Sequence, residues 1–289
     1  SKTYKLFIGG AFPRSESGRT YQAQDDDGNF MANAALASRK DLRDAVVAAR
    51  KGFAAWSKAT AYNRGQVIYR LAEMLEGRKA EFVELIMIST GASTKNATAD
   101  VDASIDRLVH YAGWTDKLAA VLGSSNPVSS PYFSYSTPEP TGVVGILAPT
   151  GSPLLGLISV IAPVITGGNA CLVVAAEHDP CAAITFAEVI ATSDVPAGVI
   201  NILTGKITEL APHLAAHADI NALDLTGADA ELRKSLEEAA AETVKRVYVP
   251  KGLPDFAAAP GTTRLRAFLE IKTVWHPTGA LSLSGGTSY

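Results

Sequence analysis

Two cysteines and two closely spaced histidines are side chains of this chain that could act as nucleophiles or metal ligands. Cys171 lies inside the apolar run ACLVVAA and Cys181 at a predicted helix start, a pattern typical of buried, reduced thiols. His213 and His217 are four residues apart in a predicted helix, a spacing that lets two imidazoles share a metal ion. Because no third ligand accompanies them, we expect both histidines on the solvated side of a surface helix, and we predict no metal site.

Composition and charge narrow the classes of partner. The chain has 289 residues, of which 47% are hydrophobic and 19% charged, and its net charge is −3. Without a run of Lys or Arg, nothing favours nucleic acid or a membrane surface as a partner. The amino terminus lacks a signal-peptide pattern, and no apolar run reaches the roughly 18 residues of a membrane span. We expect a cytoplasmic protein and, because it begins at Ser1, a processed product or a piece of a longer chain.

Short strands and then helices are predicted for the amino-terminal part. Residues 4–37 alternate in polarity between Gly, Ser and Asp, as short hairpin strands do. Ser38 and Asp41 form a capping box that begins a helix. Helical periodicity then continues to Leu122, with two helices over 63–90 and one long helix over 100–122.

The carboxy-terminal part alternates between apolar strands and helices. Residues 124–140 carry four prolines among alternating aromatic residues, which favours a projecting hairpin. Continuous apolar strands follow, each separated from the next by a helical segment: GVVGILA, ACLVVAA, GVINILT, INALDLT and KRVYV. Such strands form parallel sheets covered on both faces. The predicted fold is α/β, a doubly wound, Rossmann-like parallel sheet with an amino-terminal helical layer and a projecting β arm.

Several local strings follow one another in an order that resembles a known family. They are FIGGAF, SGRTY, AVVAARKGFAAWSK, SIDRLVHYAGWTDK, EPTGVVGILAP, GGNACLVVAAE, VPAGVINILTG and LDLTG. Their order and spacing over residues 4 to about 250 resemble the aldehyde dehydrogenase superfamily, and FLEIKTVWHPTG is similar to its carboxy-terminal oligomerisation strand. The resemblance implies four parts: amino-terminal hairpins and helices of a dinucleotide-type domain (1–123), an oligomerisation hairpin (124–140), a Rossmann-like portion (141–255), and an oligomerisation strand with its tail (264–289).

One large part of the family pattern is missing. Family enzymes carry a second α/β domain, which supplies the nucleophilic cysteine, before the oligomerisation strand. Only fifteen residues separate Val249 from Leu265 here, too few for a domain. The chain is similar in this respect to the degenerate second module of two-module aldehyde dehydrogenases. The resemblance implies a pseudo-aldehyde dehydrogenase that lacks the catalytic domain, and neither Cys171 nor Cys181 matches the family nucleophile.

The other catalytic groups that the resemblance implies are replaced. The family's general-base glutamate opens a Glu-Leu-Gly-Gly string, and the matching residues here are Pro250, Lys251, Gly252 and Leu253. Proline cannot accept a proton. The family's oxyanion asparagine lies in a Pro-Trp-Asn-Phe-Pro turn, where this chain has Gly151, which offers no side-chain amide. We therefore predict no catalytic residue in this chain.

Cofactor-binding groups are largely replaced as well. The family holds the adenosine ribose of NAD with a Lys and a Glu after the second strand, and this chain keeps Glu177 but has Val174 in place of the Lys. The pyrophosphate lies near a serine at a helix start, where this chain has Ala228 followed by Asp229, which can cap that helix and oppose a phosphate. The turn LTGKI also lacks the family's second glycine. Glu177 is the one vestigial cofactor-binding candidate, and we expect no bound cofactor.

Three functions remain open from the sequence. The leading hypothesis is a non-catalytic pseudoenzyme that docks through its β arm on a full-length aldehyde dehydrogenase or on itself. A second is a divergent aldehyde dehydrogenase subunit that binds NAD while a partner chain supplies the nucleophile. A third is a module that binds another nucleotide or metabolite in the crevice beyond the carboxyl ends of the strands.

Overall fold

The computed structural model describes residues 3–252 and 254–279. Leu253 of the predicted base motif and residues 280–289 of the predicted tail lie outside the described residues, as do Ser1 and Lys2.

Strands and helices of the described residues follow in chain order. The strands are β1 Thr3–Tyr4, β2 Thr20–Gln24, β3 Phe30–Ala35, β4 Ser124–Asn126, β5 Tyr132–Pro140, β6 Val143–Leu147, β7 Ala170–Val174, β8 Ile200–Leu203, β9 Ala222–Asp224, β10 Arg246–Tyr248 and β11 Leu269–Pro277. The helices are α1 Arg39–Trp56, α2 Ala61–Glu76, α3 Lys79–Thr90, α4 Thr94–Ala112, α5 Leu118–Leu122, α6 Leu155–Thr166, α7 Cys181–Thr192, α8 Ile207–Ala216, α9 Ala230–Ala241 and α10 Thr263–Ala267.

A five-stranded parallel sheet forms the centre of the protein. Its strand order is β10-β9-β6-β7-β8, and every residue of β6 and β7 is buried. Alternate residues of β6 enter two different cores: Val143 packs with α1, α8 and α9, while Val144 packs with α2, α4, α6 and α7. Helices thus cover both faces, which explains the continuous apolar runs. The predicted doubly wound parallel sheet is confirmed.

The amino-terminal strands form a smaller sheet beside the central one. Strands β2 and β3 make the predicted antiparallel hairpin, while β1 pairs in parallel with β3. Phe7 exchanges backbone hydrogen bonds of 2.9 and 2.8 Å with Ile202 of β8. This bridge occupies part of the outer edge of β8, which would otherwise expose unpaired backbone groups.

Helix boundaries agree with the sequence at α1 and differ at α4. The hydroxyl of Ser38 accepts the N–H of Asp41, whose carboxylate accepts the N–H of Ser38, so the capping box is confirmed. The single helix predicted over 100–122 is wrong, because α4 and α5 are separated by a turn at 113–117. Thr115 in that turn donates its hydroxyl hydrogen to the carbonyl of Ala112 at 3.0 Å and packs against Gly65 of α2. This tertiary contact favours ending α4 at Ala112.

Strands β4, β5 and β11 make a separate three-stranded antiparallel sheet, called the arm below. Strand β11 pairs with β5 over nine residues, from Leu269 opposite Pro140 to Pro277 opposite Tyr132. Buried Asn169 fixes the root of the arm, because its side-chain amide donates to the carbonyl of Phe268 at 2.9 Å and its oxygen accepts the N–H of Gly142 at 2.9 Å. The orientation of the arm is thereby tied to the central sheet.

Replacing Gly52 tests the packing of α1 on the central domain. A Cβ at Gly52 would lie 2.4 Å from the backbone carbon of Gly198, so Gly52→Ala must push α1 away and should lower the free energy of unfolding by about 1–3 kcal/mol. Gly77 ends α2 with helical dihedrals and meets nothing closer than 3.6 Å. Gly77→Ala is the matched control and should be neutral or raise stability by about 0.4–1 kcal/mol. Urea unfolding followed by circular dichroism measures both, and equal effects would contradict this packing.

Candidate functional site: the crevice at the carboxyl end of the sheet

The crevice beyond the carboxyl ends of β9 and β10 is partly filled by the chain itself. Residues 250–252 and 254–262, called the bridge below, connect β10 to α10 and then to the arm. Arg264 of α10 forms an ion pair with Asp224 at the end of β9. Asp224 is fully buried and the Arg264 side chain is 11% exposed. The Arg264 guanidinium also lies 4.4 Å from the ring centre of Tyr248, so this pair joins the sheet to the start of the arm.

The Asp224 carboxylate accepts hydrogen bonds in addition to its ion pair. Its second carboxylate oxygen accepts the backbone N–H of Thr226 at 3.0 Å and the Thr226 hydroxyl at 2.5 Å. Arg264 donates in turn to the Thr226 hydroxyl at 3.1 Å. A buried carboxylate needs both a countercharge and hydrogen bonds to offset its lost hydration, and this arrangement supplies both.

A second arginine, which is buried, holds the bridge through hydrogen bonds to its backbone. Arg107 of α4 is 7% exposed and donates to the hydroxyl of Ser159 on α6 at 2.8 Å. It also donates to the bridge carbonyls of Phe256 at 2.7 Å and Ala258 at 3.1 Å. The bridge is thus packed against α4 and α6 through its own backbone.

The positions matching the family's catalytic groups carry no acid, base or amide side chain that could replace them. Gly151 is an exposed turn residue with φ +75° between β6 and α6. The hydroxyl of Ser152, beside it, accepts the N–H of Gly156 in the first turn of α6 at 2.8 Å. Pro250 is buried directly after β10, where the family pattern implies the general base. Neither Gly151 nor Pro250 has a side chain that can transfer a proton or donate a hydrogen bond.

Glu177 lies in the loop after β7 and is half-buried. It is near Tyr21 of β2, since burial and then the negative charge of Glu177 raise the pKa of that phenol. Val174 is buried at the end of β7, in the core formed with α1 and α8. The structure therefore places an apolar, solvent-shielded side chain where the family resemblance implies a ribose-binding lysine.

The start of α9 is a poor site for a pyrophosphate. Asp229 accepts the N–H of Leu232 at 2.8 Å, as predicted for its cap, and Glu231 adds a second negative charge in the first turn. Gly227 donates its N–H to the carbonyl of Leu147 at 2.9 Å, and a Cβ there would lie 2.0 Å from the carbonyl oxygen of Ala148. The loop is therefore packed against β6, and acidic groups oppose a phosphate at the helix terminus. These residues do not fit an NAD pyrophosphate.

Both cysteines are in apolar surroundings. Cys171 is 0% and Cys181 1% exposed, and neither forms a disulfide. Burial raises the pKa of the Cys171 thiol well above its ordinary value, so the reactive thiolate is disfavoured at neutral pH.

The two histidines are half-buried, so the prediction of a solvated helix side is only partly right. His213 lies in α8 and His217 caps its end, accepting the N–H of Asp219 at 3.2 Å. They line a groove with Arg39 and Arg43 of α1, whose positive charges disfavour a metal cation. Among residues 3–252 and 254–279, no group of three or more His, Cys, Asp or Glu residues could hold a metal ion.

The same part of the chain contains no helix long and apolar enough to cross a bilayer.

Comparison with known proteins identifies the family. The sequence model described as "Aldehyde dehydrogenase family" matches residues 13–252. The chain belongs to the aldehyde dehydrogenase family. The match ends directly after β10, at the start of the bridge.

Individual relatives show what share of a longer family member this chain covers. The chain is 33% identical over 254 residues to "Aldehyde dehydrogenase, cytosolic 1" of Elephantulus edwardii, covering 86% of this chain and 50% of the relative. It is 31% identical over 257 residues to "Cytosolic 10-formyltetrahydrofolate dehydrogenase" of Mus musculus, covering 86% of this chain and 28% of that protein. The NAD+ complex of a Bacillus cereus aldehyde dehydrogenase superposes with a TM-score of 0.78 at 28% identity, covering 85% of this chain and 50% of that one. This aldehyde dehydrogenase family member thus spans about half of the single-module relatives and about a quarter of the longer one.

Sequence reasoning missed Arg107, Asp224 and Arg264. One signal was available: Arg107 continues the buried series of α4, three residues after Ser104 and four before Tyr111. Helical spacing alone would have placed it on the inner face. The pairing of Asp224 with Arg264 gave no such signal, because the two residues are forty positions apart.

The Asp224–Arg264 pair should contribute strongly to stability. Arg264→Gln leaves the fully buried Asp224 carboxylate without its countercharge and should lower the free energy of unfolding by about 3–5 kcal/mol. The matched control is Arg246→Gln, which breaks an exposed pair with Glu270 at 2.8 Å and should cost no more than about 1 kcal/mol. Urea denaturation of both variants measures the difference. Similar losses in the two variants would show that the buried pair has no special role.

Proposed function

We propose that this chain is a non-catalytic member of the aldehyde dehydrogenase family, which docks through its arm on a full-length aldehyde dehydrogenase or on a second copy of itself. The observation that carries the proposal is the bridge. Fifteen residues join Val249 to Leu265, and their backbone is packed into the crevice by Arg107. No second domain fits between these points.

The unpaired edge of the arm supports docking. Strand β11 is the outer strand in the order β11-β5-β4, so among the described residues one side of its backbone pairs with no strand. Ile271 and Trp275 on this strand are 56% and 57% exposed. Tyr132, opposite the end of β11, packs edge-on against Trp275 with ring centres 5.9 Å apart. An unpaired edge with apolar side chains is a template for adding a strand from another chain.

The matching partner is a chain that offers a free sheet edge. Within this chain the central sheet ends at β8, which Phe7 partly covers, and at the three-residue β10. Neither of these two edges accommodates a nine-residue strand, so a second copy of this chain would have to pair through the outer edge of its own β11. A full-length family member, of which the matched region is about half, offers further residues for pairing, and we therefore favour docking on it over self-association. The role we infer is to complete or stabilise the partner's oligomer in the cytoplasm.

One observation favours a second candidate, an aldehyde dehydrogenase subunit that binds NAD while a partner supplies the nucleophile. Glu177 remains at the position that the family resemblance assigns to ribose binding. The buried Val174 and the acidic cap Asp229 weigh against it. The pseudoenzyme is therefore the function that the geometry supports best.

Docking through the arm is tested by placing charge on it. Ile271→Lys combined with Trp275→Lys should abolish co-elution with a full-length aldehyde dehydrogenase of the same organism, because the added charges would have to be desolvated at the interface. Val47→Lys is the control, since Val47 is 66% exposed on α1, away from the arm. It should leave co-elution unchanged. Size-exclusion chromatography with light scattering, on the mixture and on each protein alone, measures assembly.

The outcomes separate the possible partners. If the arm variant loses the mixed species while the Val47→Lys control keeps it, docking on the enzyme is supported. If the arm variant instead loses a homo-oligomer, self-docking is supported. Absence of any assembly of the unmodified protein at about 10 μM, where a stable interface of micromolar affinity would be populated, refutes the proposal.

NADH titration distinguishes the second candidate. We expect no saturable change in NADH fluorescence with the isolated chain below about 1 mM, the upper end of ordinary substrate affinities. Glu177→Gln is the control for any signal that is seen. Saturable binding that weakens in this variant would favour the NAD-binding subunit instead.

A further inference from the structure

We propose that the cavity beneath the bridge binds a small organic carboxylate. The cavity has a volume of 210 Å³, and its lining includes Arg107, Tyr111, Ser159, Tyr248, Phe256 and Arg264. These residues come from α4, α6, β10, the bridge and α10. The proposal goes beyond the docking function and requires no partner chain.

Arg107 supplies an uncompensated buried charge. It is 7% exposed, and its hydrogen bonds go to neutral groups, the Ser159 hydroxyl and the carbonyls of Phe256 and Ala258. Within residues 3–252 and 254–279, no carboxylate forms an ion pair with it. Buried charges are ordinarily paired, because dipoles alone offset only part of the lost hydration. An anion in the cavity would provide the countercharge.

Tyr111 supplies an unused hydrogen-bond donor at the same place. The residue is 2% exposed and lines the cavity, and no side chain or backbone group of the described residues forms a hydrogen bond with its hydroxyl. Burial raises the pKa of Tyr111, while the nearby positive charges of Arg107 and Arg264 lower it. The phenol therefore lies close to both guanidinium groups and keeps its hydrogen at neutral pH, ready to donate to an anion.

Local charge favours a monoanion. Arg264 is already paired with Asp224, which leaves the single charge of Arg107 for a ligand. Asp255 also lines the cavity; it is exposed, and its carboxylate accepts the N–H groups of Ala257 at 3.0 Å and Ala258 at 3.3 Å. This negative charge would oppose a phosphate dianion more than a carboxylate. The rings of Tyr248 and Phe256 offer apolar surface to an organic body.

Tyr111→Phe is the sharpest test, because it removes one hydroxyl and keeps the ring in the core. Propionate is the probe, titrated into the isolated protein at constant ionic strength and followed by calorimetry and by the shift in thermal midpoint. We expect saturable binding with a Kd of about 1 mM. The variant should bind about tenfold more weakly, as expected for losing a hydrogen bond to a charged group. Tyr69→Phe is the matched control, since Tyr69 is 51% exposed on α2, and it should bind as the unmodified protein does.

Three outcomes would overturn the proposal. The first is no saturation by propionate below about 50 mM, a concentration about fifty times the expected Kd. The second is equal affinity in Tyr111→Phe and in the unmodified protein. The third is inorganic phosphate binding as tightly as propionate, which would assign the cavity to a different anion. All three are measured without a partner, so failure here is independent of failure to dock.

Discussion

The position of the bridge depends on two buried guanidinium groups. Asp224 is buried at the end of β9, and such a carboxylate is tolerated only with a countercharge and hydrogen bonds. Arg264 supplies the charge from α10, on the far side of the bridge. Arg107 holds the bridge backbone from α4. Because α10 leads directly into β11, this ion pair, together with Asn169 at the root of the arm, fixes where the arm leaves the central sheet.

This arrangement has a direct consequence for function. Parallel sheets of this kind bind ligands beyond the carboxyl ends of their strands, and here that space is shared between the bridge and a 210 Å³ cavity. Asp229 caps the helix start that a pyrophosphate would need. In this chain that space holds a small cavity lined by Arg107 and Arg264 beside a packed loop. The arm is a second exposed surface, because β11 is an outer strand that pairs on one side only among the described residues.

Much of the fold could be predicted from local patterns. The five apolar strands, the hairpin of β2 and β3 and the capping box at Ser38 each depend on residues close together in the sequence. The break between α4 and α5 could not be predicted from periodicity, because it depends on the packing of Thr115 against Gly65 from another helix. At the site, Pro250 and Gly151 support the prediction that these positions neither transfer a proton nor donate an amide hydrogen bond, and this prediction needs only the identity of each side chain.

The sequence by itself determined the parallel sheet and which side chains stand at the positions matched to the family's catalytic groups. Strands buried on both faces must be apolar throughout, and the side chain at a position fixes which reactions it can perform. Only the tertiary structure decided that Arg107, Tyr111 and Arg264 surround one cavity and that β11 pairs with β5 as an outer strand of the arm. These contacts join α4 to α10 and β5 to β11, elements more than a hundred positions apart in the chain, so they arise from the packing of whole elements and local periodicity does not reveal them.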